Sequence, residues 1–349
     1  MTDRTERLFE NDGGCDAFFI SSYPNIFYYS GFESEDGYLL VTREKRMLIT
    51  DSRYTVQAKE QSPGFEILNI SDGLKNAFLK INEKNIGFEN EAVTVGEFER
   101  IKAAAPDKNF ISAQSEINAP RRIKDEGEIK KIAEAERLGD EAFSHILNII
   151  KPGMTENGVA LELEFFMKKH GASALSFDTI SASGVRGAMP HGRASDKTIE
   201  KGELLTLDFG CVFEGYCSDM TRTVAVGEPS DIMKNVYGIV LKAQLAALNE
   251  ISAGKKCSDI DAAARKVITD AGYGKNFGHS LGHSVGIEIH ENPNLSPKCD
   301  DLTEPGHILT VEPGIYIEGV GGVRIEDLVA VKDGGVVNLT HSPKELIIL

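Results

Sequence analysis

The chain has 349 residues, which at roughly 150 residues per domain predicts two domains. Hydrophobic residues are 41% and charged residues 26%, a globular composition that excludes intrinsic disorder. The formal net charge of −16 repels phosphate backbones and argues against a nucleic-acid partner. No run approaches the ~20 apolar residues of a membrane helix, and the charged start, Met1 to Glu10, has no signal-peptide core. Cys15, Cys211, Cys217, Cys257 and Cys299 are scattered, odd in number and form no Cys-x-x-Cys pair. A cytoplasmic location is therefore expected, with each thiol a small apolar filler.

Residues 17–21, 37–42 and 46–49 read as short strands. Asp51 or Ser52 can cap a helix from about Arg53 to Gln61, which ends before Ser62-Pro63-Gly64. Strands and helices alternate up to Ile111, predicting an α/β domain. The composition shifts at Ala119-Pro120-Arg121-Arg122, and a long charged helix is predicted after Pro120. Its apolar residues, Ile129, Ile132, Ala133, Leu138, Ala142, Phe143 and Ile146 among them, lie mostly on one face. It stops at Lys151-Pro152-Gly153. The predicted domains are 1–122 and 123–349.

The second domain repeats itself. A long helix (125–150), a turn at Gly153 and Thr155 and a helix ending near His170 are echoed by a helix over about 231–252 capped by Ser230, a turn at Gly254 and Ser258, and a helix ending near Ala271. The strand Gly202-Glu203-Leu204-Leu205-Thr206-Leu207-Asp208-Phe209-Gly210 matches Gly306-His307-Ile308-Leu309-Thr310-Val311-Glu312-Pro313-Gly314 in its glycines, Leu-Thr and acid. A second acid trails each first: Asp219 after Asp208, Glu326 after Glu312. Two related α/β halves, each offering two carboxylates, are expected to face each other.

The turn Phe213-Glu214-Gly215-Tyr216 makes Asp208 and Asp219 cross-strand neighbours, ~5 Å apart at Cβ if opposed and ~7–8 Å if diagonal. Like charges that close on a buried face need a proton or a cation between them. Four converging carboxylates therefore predict a pair of divalent ions. The histidines add to this. His145, His170, His307 and His341 read as structural or surface residues. His191 lies in Ala188-Met189-Pro190-His191-Gly192-Arg193, and His279, His283 and His290 crowd a glycine-rich stretch from Gly278 to Glu291. Glycines there let backbone approach a ligand closely.

The strings PHGRAS at 190–195, LDFG and SDMTRT within 207–223, GHSLGHSVGIEIHE at 278–291, TVEPGIY at 310–316 and GVRIEDL at 322–328 occur in this order. Together they resemble the metallopeptidase family containing methionine aminopeptidase, aminopeptidase P and prolidase. The resemblance implies an α/β (α+β) chain, with a creatinase-like N-terminal domain before a pita-bread domain of internal pseudo-two-fold duplication. It implies the metal ligands Asp208, Asp219, His283, Glu312 and Glu326. An oxygen-rich set with one imidazole suits Mn²⁺, with Co²⁺, Fe²⁺ and Zn²⁺ as alternatives. It implies that His191, His279 and His290 bind substrate and steady the transition state. Glu312 would take a proton from the attacking water, and His290 would stabilise the oxyanion. Arg324, on the strand face of Glu326, joins the substrate-binding group and can hold the carboxylates in place.

The domain in front is shared with aminopeptidase P, prolidase and creatinase. Residues 25–32 (NIFYYSGF) and 51–58 (DSRYTVQA) look more like aminopeptidase P. The expected activity is therefore an Xaa-Pro aminopeptidase, acting on peptides with proline at the second position, with Xaa-Pro dipeptidase (prolidase) as the alternative. A homodimer is implied by the resemblance. Creatinase-like enzymes and binding modules on this fold lack the metal set that this chain retains. A phosphate-ester hydrolase is disfavoured by the lack of a P-loop-type glycine-rich loop.

Overall fold

The computed structural model describes residues 4–349. The chain divides into two compact units, Met1–Arg121 and Arg122–Leu349.

In the first unit, β1 (Ala17–Ile20), β2 (Gly37–Thr42), β3 (Arg46–Thr50), β4 (Glu66–Asn69), β5 (Asn85–Phe88) and β6 (Asn109–Ser112) form one sheet in the order β4-β3-β2-β1-β5-β6. The central pairs are antiparallel and the outer pairs parallel. Helices α1 (Tyr23–Ser30), α2 (Thr55–Gln61), α3 (Leu74–Phe78) and α4 (Val95–Ala104) connect the strands, and α5 (Gln114–Arg122) follows β6. All four residues of β1 are buried, as in a strand covered on both faces. The fully buried Glu89 accepts from the Ser21 and Ser22 amides at 2.5 and 2.8 Å, which satisfies free donors at the start of α1.

Two expectations shift. Asp51 does not cap α2; it accepts from the Arg53 amide at 2.8 Å in a local turn, and α2 begins at Thr55. Pro120 lies inside α5, a separate nine-residue helix. The long helix starts at Glu126, within one residue of the expected 125, because Asp125 and Glu128 form a reciprocal capping box there, and it ends at Ile146, before the expected 150.

The second unit runs through two helix-helix-sheet sets. The first contains α6 (Glu126–Ile146), α7 (Glu156–Lys169), β7 (Ala174–Leu175), β8 (Ile180–Ser183), β9 (Glu203–Phe209), β10 (Cys211–Phe213), β11 (Tyr216–Cys217) and β12 (Met220–Val226). The second contains α8 (Asp231–Glu250), α9 (Cys257–Asp270), β13 (Gly282–Ser284), β14 (Glu291–Leu295), β15 (Ile308–Val311), β16 (Gly314–Ile317), β17 (Gly321–Arg324), β18 (Asp327–Lys332) and β19 (Gly335–Asn338). Helices α6 and α7 pack on the sheet β12-β9-β8 through Leu138, Phe143, Leu163, Leu207, Phe209 and Val224. Helices α8 and α9 pack on the sheet β14-β13-β15-β18-β19 through Val236, Val240, Ile260, Leu309 and Val329. The side chain of Thr155 caps α7 and that of Ser230 caps α8. Among the described residues, no helix is long and apolar enough to cross a membrane.

Candidate metal centre

The acids reach one point through strand register. In the β9–β12 ladder Asp208 faces Thr221, so Asp219, two residues earlier, is its diagonal neighbour. In the other half Val311 pairs with Asp327 and Gly314 with Arg324, one continuous register broken between the two ladders. That register sets Glu312 directly opposite Glu326. Their amides turn outward instead of pairing: Glu312 donates to Leu281 O at 2.9 Å, and Glu326 to Thr221 O at 3.0 Å. Glycine permits the close approaches beside the ligands. A Cβ at Gly210 would lie 2.0 Å from Ser218 O, and one at Gly282 would lie 2.1 Å from Thr310 O.

Asp208, Asp219, His283, Glu312 and Glu326 all line a cavity of about 640 Å³, with His191, His279, His290 and Arg324. One ligand atom each from Asp219, His283 and Glu326 lies within 4.8 Å of the others. His283 Nε2 is 3.6 Å from Asp219 Oδ2 and 3.5 Å from Glu312 Oε1. The other ring nitrogen, Nδ1, is 3.1 Å from the carbonyl of Ser284, an acceptor only, so Nδ1 carries the proton. Nε2 then presents a lone pair toward two carboxylates.

Charge tells the same story. Burial, and next Glu326, Asp208 and Glu312, push the Asp219 carboxyl well above its usual range. Burial and Glu312 do the same to Glu326. Glu312 is pushed up to about 8 by burial, with Arg324 opposing and Asp208 adding to the rise. His283 is lowered to about 4 by burial and by His290, so it is neutral at pH 7. Asp208 Oδ1 and Glu326 Oε1 are buried without a hydrogen-bond partner. Buried carboxylate oxygens left without a partner, beside an imidazole lone pair, fit divalent cations.

Behind these residues lies a supporting layer. Arg324 donates to Asp208 Oδ2 at 2.5 Å, Thr221 Oγ1 at 3.0 Å, Pro190 O at 3.1 Å and Tyr316 Oη at 2.9 Å. His279 Nδ1 faces Ser280 O at 2.7 Å and so carries the proton, which leaves Nε2 to accept from Tyr316 Oη at 2.9 Å. The chain of bonds thus runs from Arg324 through Tyr316 to His279. Thr221 Oγ1 donates to Glu326 Oε2 at 2.7 Å. The fully buried Glu136 accepts from the Asp219 amide at 3.2 Å and from Thr340 Oγ1 at 2.6 Å. The loop carrying His191 is held by the fully buried Glu156, which accepts from Ser183, Arg186 and Ser195 at 2.6 to 2.9 Å.

Sequence reasoning passed over Tyr316, Thr221, Glu136 and Glu156. Tyr316 and Thr221 lie within recognised strings, but a lone Tyr or Thr on a strand carries no signal of its partner. Glu136 and Glu156 are charged residues within helices, and nothing in the sequence around them signals burial. Of the histidines set aside, His307 is fully buried, while His341 is exposed.

Metallopeptidase family M24 matches residues 130–333, and the creatinase/prolidase N-terminal domain matches residues 3–123. A solved Xaa-Pro dipeptidase from Bacillus anthracis is 46% identical with a TM-score of 0.97, covering 99% of each chain. A solved X-Pro aminopeptidase from Thermotoga maritima MSB8 is 43% identical with a TM-score of 0.93, covering 99% of this chain and 100% of its own. A curated Xaa-Pro dipeptidase from Pyrococcus horikoshii is 38% identical over 351 residues, 99% of each chain. The protein thus belongs to metallopeptidase family M24, a metallo-hydrolase whose catalytic domain follows a creatinase/prolidase N-terminal domain.

Proposed function

We propose that the protein is an Xaa-Pro dipeptidase, a prolidase, holding two divalent cations through Asp208, Asp219, His283, Glu312 and Glu326. The observation that carries the reading is the convergence of a neutral imidazole lone pair and two unpartnered carboxylate oxygens among three buried acids and the half-buried Glu312. The sequence ranks an aminopeptidase first. Whole-length relatives named Xaa-Pro dipeptidase, at 46% and 38% identity, favour the alternative. The Thermotoga relative, at 43% identity, keeps the aminopeptidase as the second reading.

One imidazole among carboxylates favours Mn²⁺ over softer ions. Bound divalent ions supply a water of lowered pKa and positive charge for the substrate carbonyl. Glu312 holds the proton that the attacking water loses and passes it from a carboxylate oxygen to the departing proline nitrogen. His290, exposed on the cavity wall, donates to the carbonyl oxygen as that atom gains charge. His191 and His279 orient the peptide. Arg324 positions Asp208 instead of contacting substrate as the sequence suggested, because its side chain is 4% exposed and its guanidinium already engages four partners. The five free cysteines support a cytoplasmic setting, and the N-terminal domain supports a homodimer.

The test is the Mn²⁺-reconstituted enzyme given Xaa-Pro dipeptides and Xaa-Pro-Yaa tripeptides. Cleavage of dipeptides with little or no action on tripeptides is expected. Efficient tripeptide cleavage overturns the dipeptidase reading in favour of the aminopeptidase.

A further inference from the structure

A dipeptidase must recognise that its substrate ends one residue beyond the scissile bond, which calls for a cation at a fixed distance from the reacting centre. Two arginines line the cavity, Arg193 and Arg324. Arg324 is committed to Asp208, Thr221, Pro190 and Tyr316. Arg193 has a side chain 78% exposed, and it pairs with Asp178, 67% exposed, at 2.9 Å. An exposed pair of this kind exchanges partners readily.

The backbone of Arg193 is fixed although its side chain is exposed. Arg193 bridges Ile180, and Ile180 pairs with Asp208, in adjacent positions across three chain segments. Directly opposed residues project to the same face of a sheet, and Arg193, Ile180 and Asp208 all line the cavity. Two strand spacings separate Arg193 from Asp208, or about 10 Å between backbones. A substrate whose scissile carbonyl lies at the acid cluster places its terminal carboxylate about 3.8 Å further along, within reach of an arginine side chain from that position. The carbonyl of Arg193 also accepts from Arg186 Nη2 at 2.7 Å, and Arg186 is anchored on the buried Glu156.

Resting on the prolidase reading, we propose that Arg193 binds the C-terminal carboxylate of the dipeptide. Asp178 occupies the guanidinium until substrate displaces it, a carboxylate standing in for a carboxylate.

The experiment compares Ala-Pro with Ala-Pro-amide, which lacks the terminal charge, using Mn²⁺-loaded wild type, Arg193→Gln and Arg193→Lys. Wild type is expected to prefer the acid. Arg193→Gln should raise KM for Ala-Pro by about tenfold or more, the loss of one charge-assisted bond, with kcat, metal content and amide cleavage little changed. Arg193→Lys should recover part of the preference. A wild-type preference that survives intact in Arg193→Gln overturns the proposal and leaves the prolidase reading standing. A wild type that cleaves acid and amide equally well overturns both.

Discussion

Glu136 is the most informative residue to perturb, because it is fully buried beside the acid cluster. Burial, with a smaller push from Asp140, raises its carboxyl from 4.5 to about 8, against the pull of Thr340, the Asp219 amide and Arg222. A carboxyl that titrates near 4.5 unfolded and near 8 folded contributes its full stabilisation below pH 4.5 and loses it as pH rises toward 8. The loss runs at about 1.4 kcal/mol per pH unit. From pH 5.5 to 7.5 this one group removes about 2–3 kcal/mol from the metal-free protein. Glu136→Gln keeps the shape: its carbonyl can accept the Asp219 amide and its NH₂ can donate to Thr340 Oγ1. The variant should match wild type, or fall slightly below it, at pH 5.5, and exceed it by about 2–3 kcal/mol at pH 7.5. Glu312, also near 8, contributes a slope of its own to both proteins, so the quantity to follow is the difference between them. The chain contains no tryptophan, so urea unfolding of EDTA-treated protein is followed by circular dichroism at several pH values. A difference that stays constant within about 0.5 kcal/mol across that range refutes the reasoning.

Other consequences are open to direct measurement. Asp219→Ala should keep its fold by circular dichroism but lose bound metal, measured by mass spectrometry, and with it the peptidase activity. Burial raises the carboxyls of Asp219, Glu312 and Glu326, Glu312 to about 8, and ligation needs them ionised, so calorimetry in buffers of different ionisation enthalpy should show proton release on metal binding, with apparent affinity rising from pH 6 to pH 8. Tyr316→Phe breaks the path from Arg324 to His279; kcat/KM should drop about tenfold while metal content holds. Glu156→Gln weakens the support of the His191 loop and should cost about 1–3 kcal/mol of stability, with a larger relative loss in kcat/KM than in bound metal.

Much of the catalytic unit was legible because its duplication leaves a repeated pattern of glycine, Leu-Thr and acid. The helix starts at Thr155 and Ser230 were readable for a similar reason, since each cap is local chemistry. Register was less accessible. A turn centred on Glu214-Gly215 suggests an opposed or diagonal pair, and only the ladder settles that Thr221, not Asp219, faces Asp208. The supporting layer was hidden for another reason. Glu136 and Thr340 are 204 positions apart and Arg324 and Pro190 are 134 apart, so no window of sequence contains both partners. The start of the long helix, expected at 125, agrees to one residue with Glu126, where the Asp125–Glu128 box sets the boundary; what the composition shift at Pro120 hid is the separate helix α5.

Thr221 grips Glu326 twice, by its carbonyl on the amide and by its hydroxyl on the carboxylate. One residue of the first half therefore sets both the height and the tilt of a ligand borne by the second. Neither half can be remodelled alone: a slip of β12 by a single step would carry Glu326 away from the centre even with every acid still in the sequence. The number of ions retained per chain then becomes a gauge of how faithfully the seam between the two halves has closed.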